Sequence, residues 1–175
     1  MSWEDFPRNN LANYSKYKGG KTTSVFETAY KMKLEHPNKR VGIFHENAAK
    51  APNGLFNKKG TDLSQLWIFT NQMQNEIALG YEYDILICDR TVFDSIAYSI
   101  YMGFNNFANK AFPLALEFLP TYTEIYFKSI KNNNYCFDVS HRETKDIEYR
   151  EKVEEILLDL YNKSGITNTN IFKFV

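Results

Sequence analysis

Short apolar runs alternate along this chain with longer segments of helical spacing. The clearest run, residues 83–88, predicts a strand buried on both faces, because its apolar stretch is continuous rather than alternating. Further runs predict strands at 41–44, 124–127 and 170–175. Between them, apolar residues recur every three or four positions, which predicts helices over 22–34, 61–79, 94–102, 111–119 and 146–161.

The order of these elements predicts β-α units arranged around a parallel sheet. Thr61 and Asp62 supply a helix N-cap, and Gly80 is expected to end the same helix. The polar, turn-rich residues 131–146 are expected to form a loop that acts as a lid. A length of 175 residues fits one domain, 1–175.

Composition excludes several classes of protein. With 43% hydrophobic and 16% aromatic residues the chain is not intrinsically disordered. Its 21 basic and 21 acidic residues lack the basic excess of proteins that bind long nucleic acids, so any anion site must be local. No apolar run approaches the ~18 residues of a membrane span, and the acidic N-terminus is unlike a signal peptide. We therefore expect a cytoplasmic protein without membrane contact.

The two cysteines carry no metal-ligand spacing. Cys88 and Cys136 lie in or near apolar stretches, which favours reduced packing residues, with a disulfide left open. The three histidines are scattered over different elements, so we assign them no metal role.

The sharpest motif is the segment from Ser15 to Thr23, S-K-Y-K-G-G-K-T-T. A phosphate-binding loop has the form G-x-x-x-x-G-K-[ST], in which backbone N–H groups surround phosphates and the hydroxyl holds Mg²⁺. Gly20-Lys21-Thr22 fits this form, whereas Ser15 replaces the first glycine. The preceding residues 9–14 are short and polar for the strand that feeds such a loop. The alternative is a plain turn rich in lysine and glycine.

A second motif supports the first. The apolar residues 85–88 run into Asp89, the arrangement that delivers a carboxylate beside a Mg²⁺ ion. Many buried strands end in aspartate without binding metal, so this signal gains weight only together with Gly20-Lys21-Thr22.

The segment that begins at Asp89 resembles a motif of a known family. Residues 89–98, D-R-T-V-F-D-S-I-A-Y, resemble the D-R-x-x-x-x-S-x-A-Y segment of thymidylate kinases and deoxynucleoside kinases. The layout over about residues 11–175 is similar to small P-loop ATPase or kinase domains of bacteria and their phages. This resemblance implies an α/β, three-layer P-loop NTPase fold with a five-stranded parallel sheet, order 2-3-1-4-5, and helices on both faces.

The resemblance also implies roles for individual residues, with ATP and Mg²⁺ as cofactors. Lys21 would contact the terminal phosphates, and Thr22 and Asp89 would hold Mg²⁺. The rest of the ATP loop would comprise Ser15, Gly19, Gly20 and Thr23.

Four residues are candidates for the acceptor and for catalysis. Glu46 would act near the acceptor hydroxyl, Gln72 would read a base edge, Arg90 would hold the acceptor, and Arg142 would close over the transferring phosphate, with Arg150 as second choice. The alternatives are a solvated Glu46, a salt bridge at a strand end for Arg90, and a solvated helix start for Arg142.

The function implied is ATP-dependent phosphoryl transfer to a nucleoside, nucleotide or similar small acceptor. A non-catalytic domain or a switch-type P-loop ATPase is the alternative. The switch-type reading lacks the D-x-x-G-G region expected after the third strand, where this chain has Asp89-Arg90-Thr91-Val92-Phe93. The identity of the acceptor and the oligomeric state stay open.

Overall fold

The computed structural model describes residues 10–13, 20–45, 60–127, 129 and 147–174. Its helices and strands, in chain order, are β1 (Asn10–Asn13), α1 (Gly20–Glu35), β2 (Val41–Phe44), α2 (Asp62–Glu82), β3 (Ile85–Cys88), α3 (Val92–Tyr101), α4 (Asn105–Phe118), β4 (Tyr122–Phe127), α5 (Ile147–Lys163) and β5 (Phe172–Phe174). Short 3₁₀ turns follow α4 and α5, at Leu119–Thr121 and Ile166–Asn168.

The strands lie side by side in the order β2-β3-β1-β4-β5, and every pairing is parallel. The central strand β1 places Leu11 beside Ile87 of β3 and Ala12 beside Ile125 of β4. Its register with β4 shifts after Asn10. Because all five strands run the same way, their carboxyl ends share one edge of the sheet.

Strand β3 is covered on both faces, which explains its continuous apolar sequence. Ile85 and Ile87 pack against Val25 and Ala29 of α1. The alternate residues of β3 pack on the other side, against Leu79 of α2. A larger core joins α3, α4 and α5 to β4; its fully buried large side chains include Phe93, Phe118, Ile125, Leu157 and Tyr161.

The predicted N-cap of α2 is confirmed. The Thr61 hydroxyl accepts from the Ser64 N–H at 3.1 Å, and the Ser64 hydroxyl accepts from the Thr61 N–H at 2.8 Å, a reciprocal capping box. The predicted stop at Gly80 is wrong, since Gly80 is buried inside α2, which continues to Glu82. Tertiary packing there outweighs the ~1 kcal/mol by which glycine disfavours a helix interior.

The predicted fold class, an α/β three-layer P-loop NTPase fold, requires a correction. The described residues are mostly helical: the α-helices have 10 to 21 residues, whereas the strands have three to six and each pair aligns at three or four positions. Packing lengthens helices beyond their sequence pattern, as α4 shows by starting at Asn105 instead of 111. We therefore describe a helix-dominated chain with a small parallel sheet, and the assignment to the P-loop NTPase fold does not stand.

The predicted lid at 131–146 and Cys136 lie outside the described residues, whereas Cys88 is a buried free thiol. Within the ranges that are described, no helix is long and apolar enough to cross a membrane.

Candidate functional site

The first half of α1 and the end of β3 approach the same edge of the sheet. β1 and β3 are neighbours, with Ala12 beside Cys88, so the residues after both strands leave at that edge. His45, which directly follows β2, links the two: its ring lies 5.2 Å from the ring of Phe26 in α1, and its Nδ1 lies 3.9 Å from Oδ2 of Asp89. The N-terminal turns of α1 and the carboxylate of Asp89 therefore belong to one region.

The second half of the predicted phosphate-binding motif, residues 15–23, lies at the start of α1. Gly20, Lys21 and Thr22 form its first turn, and Thr23 follows with an exposed side chain. The predicted site residues that lie outside the described ranges are Ser15, Gly19, Glu46 and Arg142. Arg150, the second choice for a lid arginine, lies in the first turn of α5 and is half-buried.

Asp89 is fixed where β3 ends. Its N–H donates to the Phe44 carbonyl at 2.8 Å, which extends the pairing of β2 with β3 by one residue. The residue is 8% exposed, so its carboxylate lies just below the surface at the carboxyl edge of the sheet. This is a suitable position for a group that meets a ligand arriving at that edge.

Arg90 is buried and its backbone is strained. Its φ of 130° lies in a region that residues with a Cβ rarely adopt. Its Nη1 donates to Oδ1 of Asp94 at 3.3 Å and to Oη of Tyr98 at 3.1 Å, and its guanidinium carbon lies 5.3 Å from the centre of the Tyr98 ring. The ion pair considered from the sequence is therefore present, and an acceptor-binding role for Arg90 stays a prediction.

Gln72 is also buried, and its side-chain amide nitrogen donates hydrogen bonds to two groups of the protein. Nε2 donates to Oε1 of Glu76 at 2.5 Å and to the Arg90 carbonyl at 3.4 Å. Gln65 is buried seven residues earlier on α2, about 10 Å towards the N-terminus of the helix. Its Oε1 has no hydrogen-bond partner in the described part of the chain. The role of Gln72 in reading a base stays a prediction, and Gln65 joins it as a candidate.

Sequence reasoning missed Glu76, the most perturbed acid of this region. It is fully buried; Oε1 accepts from Gln72 and, at 3.1 Å, from Tyr122 Oη, whereas Oε2 has no partner among the residues described. Burial raises the pKa of Glu76 to about 8; the two hydrogen bonds oppose this rise and the charge of Asp94 adds to it. Glu76 is therefore protonated at neutral pH. The sequence did carry one sign of this burial: Glu76 is spaced at helical intervals from Phe69 and Gln72, so it falls on the same buried face of α2.

The groups around Glu76 form one hydrogen-bonded cluster. Thr91 caps α3 and its hydroxyl lies 2.7 Å from Oη of Tyr161 in α5. The Thr91 N–H donates to Oδ2 of Asp94 at 2.9 Å. Burial raises the pKa values of Tyr122, Tyr161 and the Cys88 thiol well above their ordinary values. These three groups therefore stay neutral near pH 7.

Neither protein-family models nor curated proteins yield a match to this chain. Among the side chains that the structure describes, no group of three histidine, cysteine or acidic residues is arranged to hold a metal ion.

Proposed function

We propose that this protein catalyses ATP-dependent phosphoryl transfer to a nucleoside, a nucleotide or a similar small acceptor. The observation that carries the proposal is the common edge reached by Gly20-Lys21-Thr22 at the start of α1 and by Asp89 and Arg90 after β3. These segments are far apart in the chain and carry the residue types that bind phosphate and Mg²⁺. The likeness of residues 89–98 to nucleotide kinases supports the same reaction.

Each element has a chemical part in this proposal. The N–H groups and positive end of the α1 dipole favour phosphate oxygens, and Lys21 supplies a full positive charge. Thr22 and Asp89 would hold Mg²⁺ together with the phosphates of ATP, an arrangement that needs one carboxylate. Mg²⁺ typically binds through few protein oxygens in this way and neutralises phosphate charge. Protein groups then act by positioning and by charge stabilisation.

The acceptor would bind beside Arg90 and the N-terminal half of α2. Gln65 supports this placement, because its buried amide oxygen leaves one acceptor of hydrogen bonds available to a ligand. Glu46 and Arg142 keep their proposed roles as acceptor base and lid arginine. A cytoplasmic location follows from the proposal, since ATP and nucleosides are abundant there.

The test measures ADP release from Mg-ATP across a panel of nucleosides and nucleoside monophosphates. The variants are Lys21→Ala and Asp89→Asn, with Lys31→Ala as the matched control, since Lys31 is exposed on the same helix. We expect acceptor-dependent turnover that falls at least about 100-fold in both site variants and stays unchanged in the control.

Three results would contradict the proposal. ATP hydrolysis that ignores every acceptor would favour a switch-type ATPase. An absence of both nucleotide binding and turnover in the wild-type protein would indicate a non-catalytic domain. Equal turnover in Lys21→Ala and Lys31→Ala would separate the activity from the start of α1.

A further inference from the structure

The turn between β3 and α3 holds an unfavourable backbone conformation. Arg90 combines a φ of 130° with nearly complete burial, and a residue in such a sparsely populated region costs on the order of 1–3 kcal/mol. Strain of this kind persists only where the surrounding structure enforces it. The contacts to the backbone of residues 90–92 therefore identify what holds the turn.

Two of these contacts lead to a single oxygen atom. Gln72 Nε2 donates to the Arg90 carbonyl and, with its other hydrogen, to Oε1 of Glu76. Tyr122 Oη accepts from the Val92 N–H at 3.1 Å and donates to the same Oε1. Two side chains from α2 and β4 thus reach the residues on either side of Thr91, and both are oriented by Glu76.

We infer that Glu76 is a positioning residue, which fixes the Arg90 turn through Gln72 and Tyr122. Without Oε1 as acceptor, the Gln72 amide and the Tyr122 hydroxyl lose the partner that sets their directions. The turn then keeps the Thr91–Asp94 and Thr91–Tyr161 contacts and the bonds of the Arg90 side chain to Asp94 and Tyr98, but loses the two bonds that hold the backbone of Arg90 and Val92 in place. The consequence for acceptor binding by Arg90 rests on the proposed function, whereas the geometry of the turn does not.

The ionisation of Glu76 can be followed at the Val92 N–H, because Tyr122 bonds to both groups. The titratable and charged groups near it are Asp94 and Arg90 at the turn and on α3, Tyr122 on β4, Tyr161 on α5 and Cys88 on β3. The pKa values of the two tyrosines and of the thiol are raised well above ordinary, so they do not titrate between pH 6 and 9. Ionisation of Glu76 strengthens its bond from the Tyr122 hydroxyl, and this polarises the Val92 N–H. His45 lies beside Asp89, with Nδ1 3.9 Å from Oδ2 of that residue.

The experiment records amide nitrogen and proton chemical shifts of Val92 between pH 6 and 9.5, without nucleotide. In the wild-type protein we expect a titration with a midpoint of about 8. Glu76→Gln keeps an acceptor at Oε1 but cannot ionise, so the titration disappears and the turn stays in place. Tyr122→Phe removes a bond that lowers the pKa of Glu76, so the titration seen at the Gln72 side-chain amide moves to higher pH.

Hydrogen exchange of the Val92 N–H tests positioning directly. We expect exchange about tenfold faster in Glu76→Leu than in wild type, and near the wild-type rate in the conservative Glu76→Gln. Tyr122→Phe, which keeps the ring in place, should accelerate the same exchange and covers the case in which Glu76→Leu does not fold. A titration at Val92 that survives in Glu76→Gln would show that a group other than Glu76 causes it, and would overturn the inference. Unchanged exchange in Tyr122→Phe would also overturn it. Since no nucleotide is used, neither result depends on whether the protein transfers phosphate.

Discussion

Replacing Glu76 by glutamine should change how stability depends on pH. The pKa of Glu76 is about 8 in the folded protein against 4.5 for an ordinary glutamate. A pKa raised by folding means that the native state binds the proton more tightly, so stability is fully present below pH 4.5 and is lost as pH rises through 8. With 1.36 kcal/mol per pKa unit, the loss reaches about 3 kcal/mol at pH 7 and about 5 kcal/mol by pH 9. Glu76→Gln removes this loss, because its amide retains the acceptor and carries no charge.

The assay is urea unfolding at pH 5, 6, 7 and 8, followed by tryptophan fluorescence. The free energy of unfolding of Glu76→Gln should rise relative to wild type by about 2–3 kcal/mol between pH 5 and pH 7. Glu82→Gln is the control, since Glu82 is exposed at the end of the same helix and its variant should follow wild type. Parallel curves for wild type and Glu76→Gln over this range would refute the raised pKa.

Two further predictions concern the folded scaffold. Gly42→Ala should lower the free energy of unfolding by about 1–3 kcal/mol in urea denaturation, because the new Cβ would lie 2.5 Å from the Tyr83 ring. Added to Tyr83→Ala, which lacks that ring, Gly42→Ala should cost much less stability than it does in wild type, and an equal cost in both backgrounds would contradict the reasoning. Thr61→Ala should lower the free energy of unfolding, measured by urea denaturation, by about 1 kcal/mol, because it removes the cap of α2. Thr70→Ala, on the exposed face of the same helix, is the control and should change this free energy by less than about 0.5 kcal/mol. Equal effects of the two variants would show that the cap does not stabilise the protein.

The candidate site shows why sequence reasoning reached only some of its members. Asp89 and Arg90 stand out because they follow a fully apolar run, a local pattern. Glu76 does not, since an acid on an amphipathic helix is normally solvated. Only the packed structure, with its hydrogen bond from Tyr122 and its complete burial, shows that Glu76 is neutral. The contacts of Gln72 with Glu76 and with the Arg90 carbonyl likewise require the packed turn.

The sequence by itself determined the features that depend on neighbouring residues: the apolar strand 85–88, the amphipathic pattern of α2 and the cap at Thr61. Their physical causes act over a few residues, within one turn of helix or one strand. Tertiary structure decided what depends on distant partners. Packing carried α2 past Gly80, brought β1 between β3 and β4, and gave the described chain its predominance of helix. It also buried Glu76 beneath the Arg90 turn, because only the assembled helices and strands exclude the water that would otherwise keep that carboxylate charged.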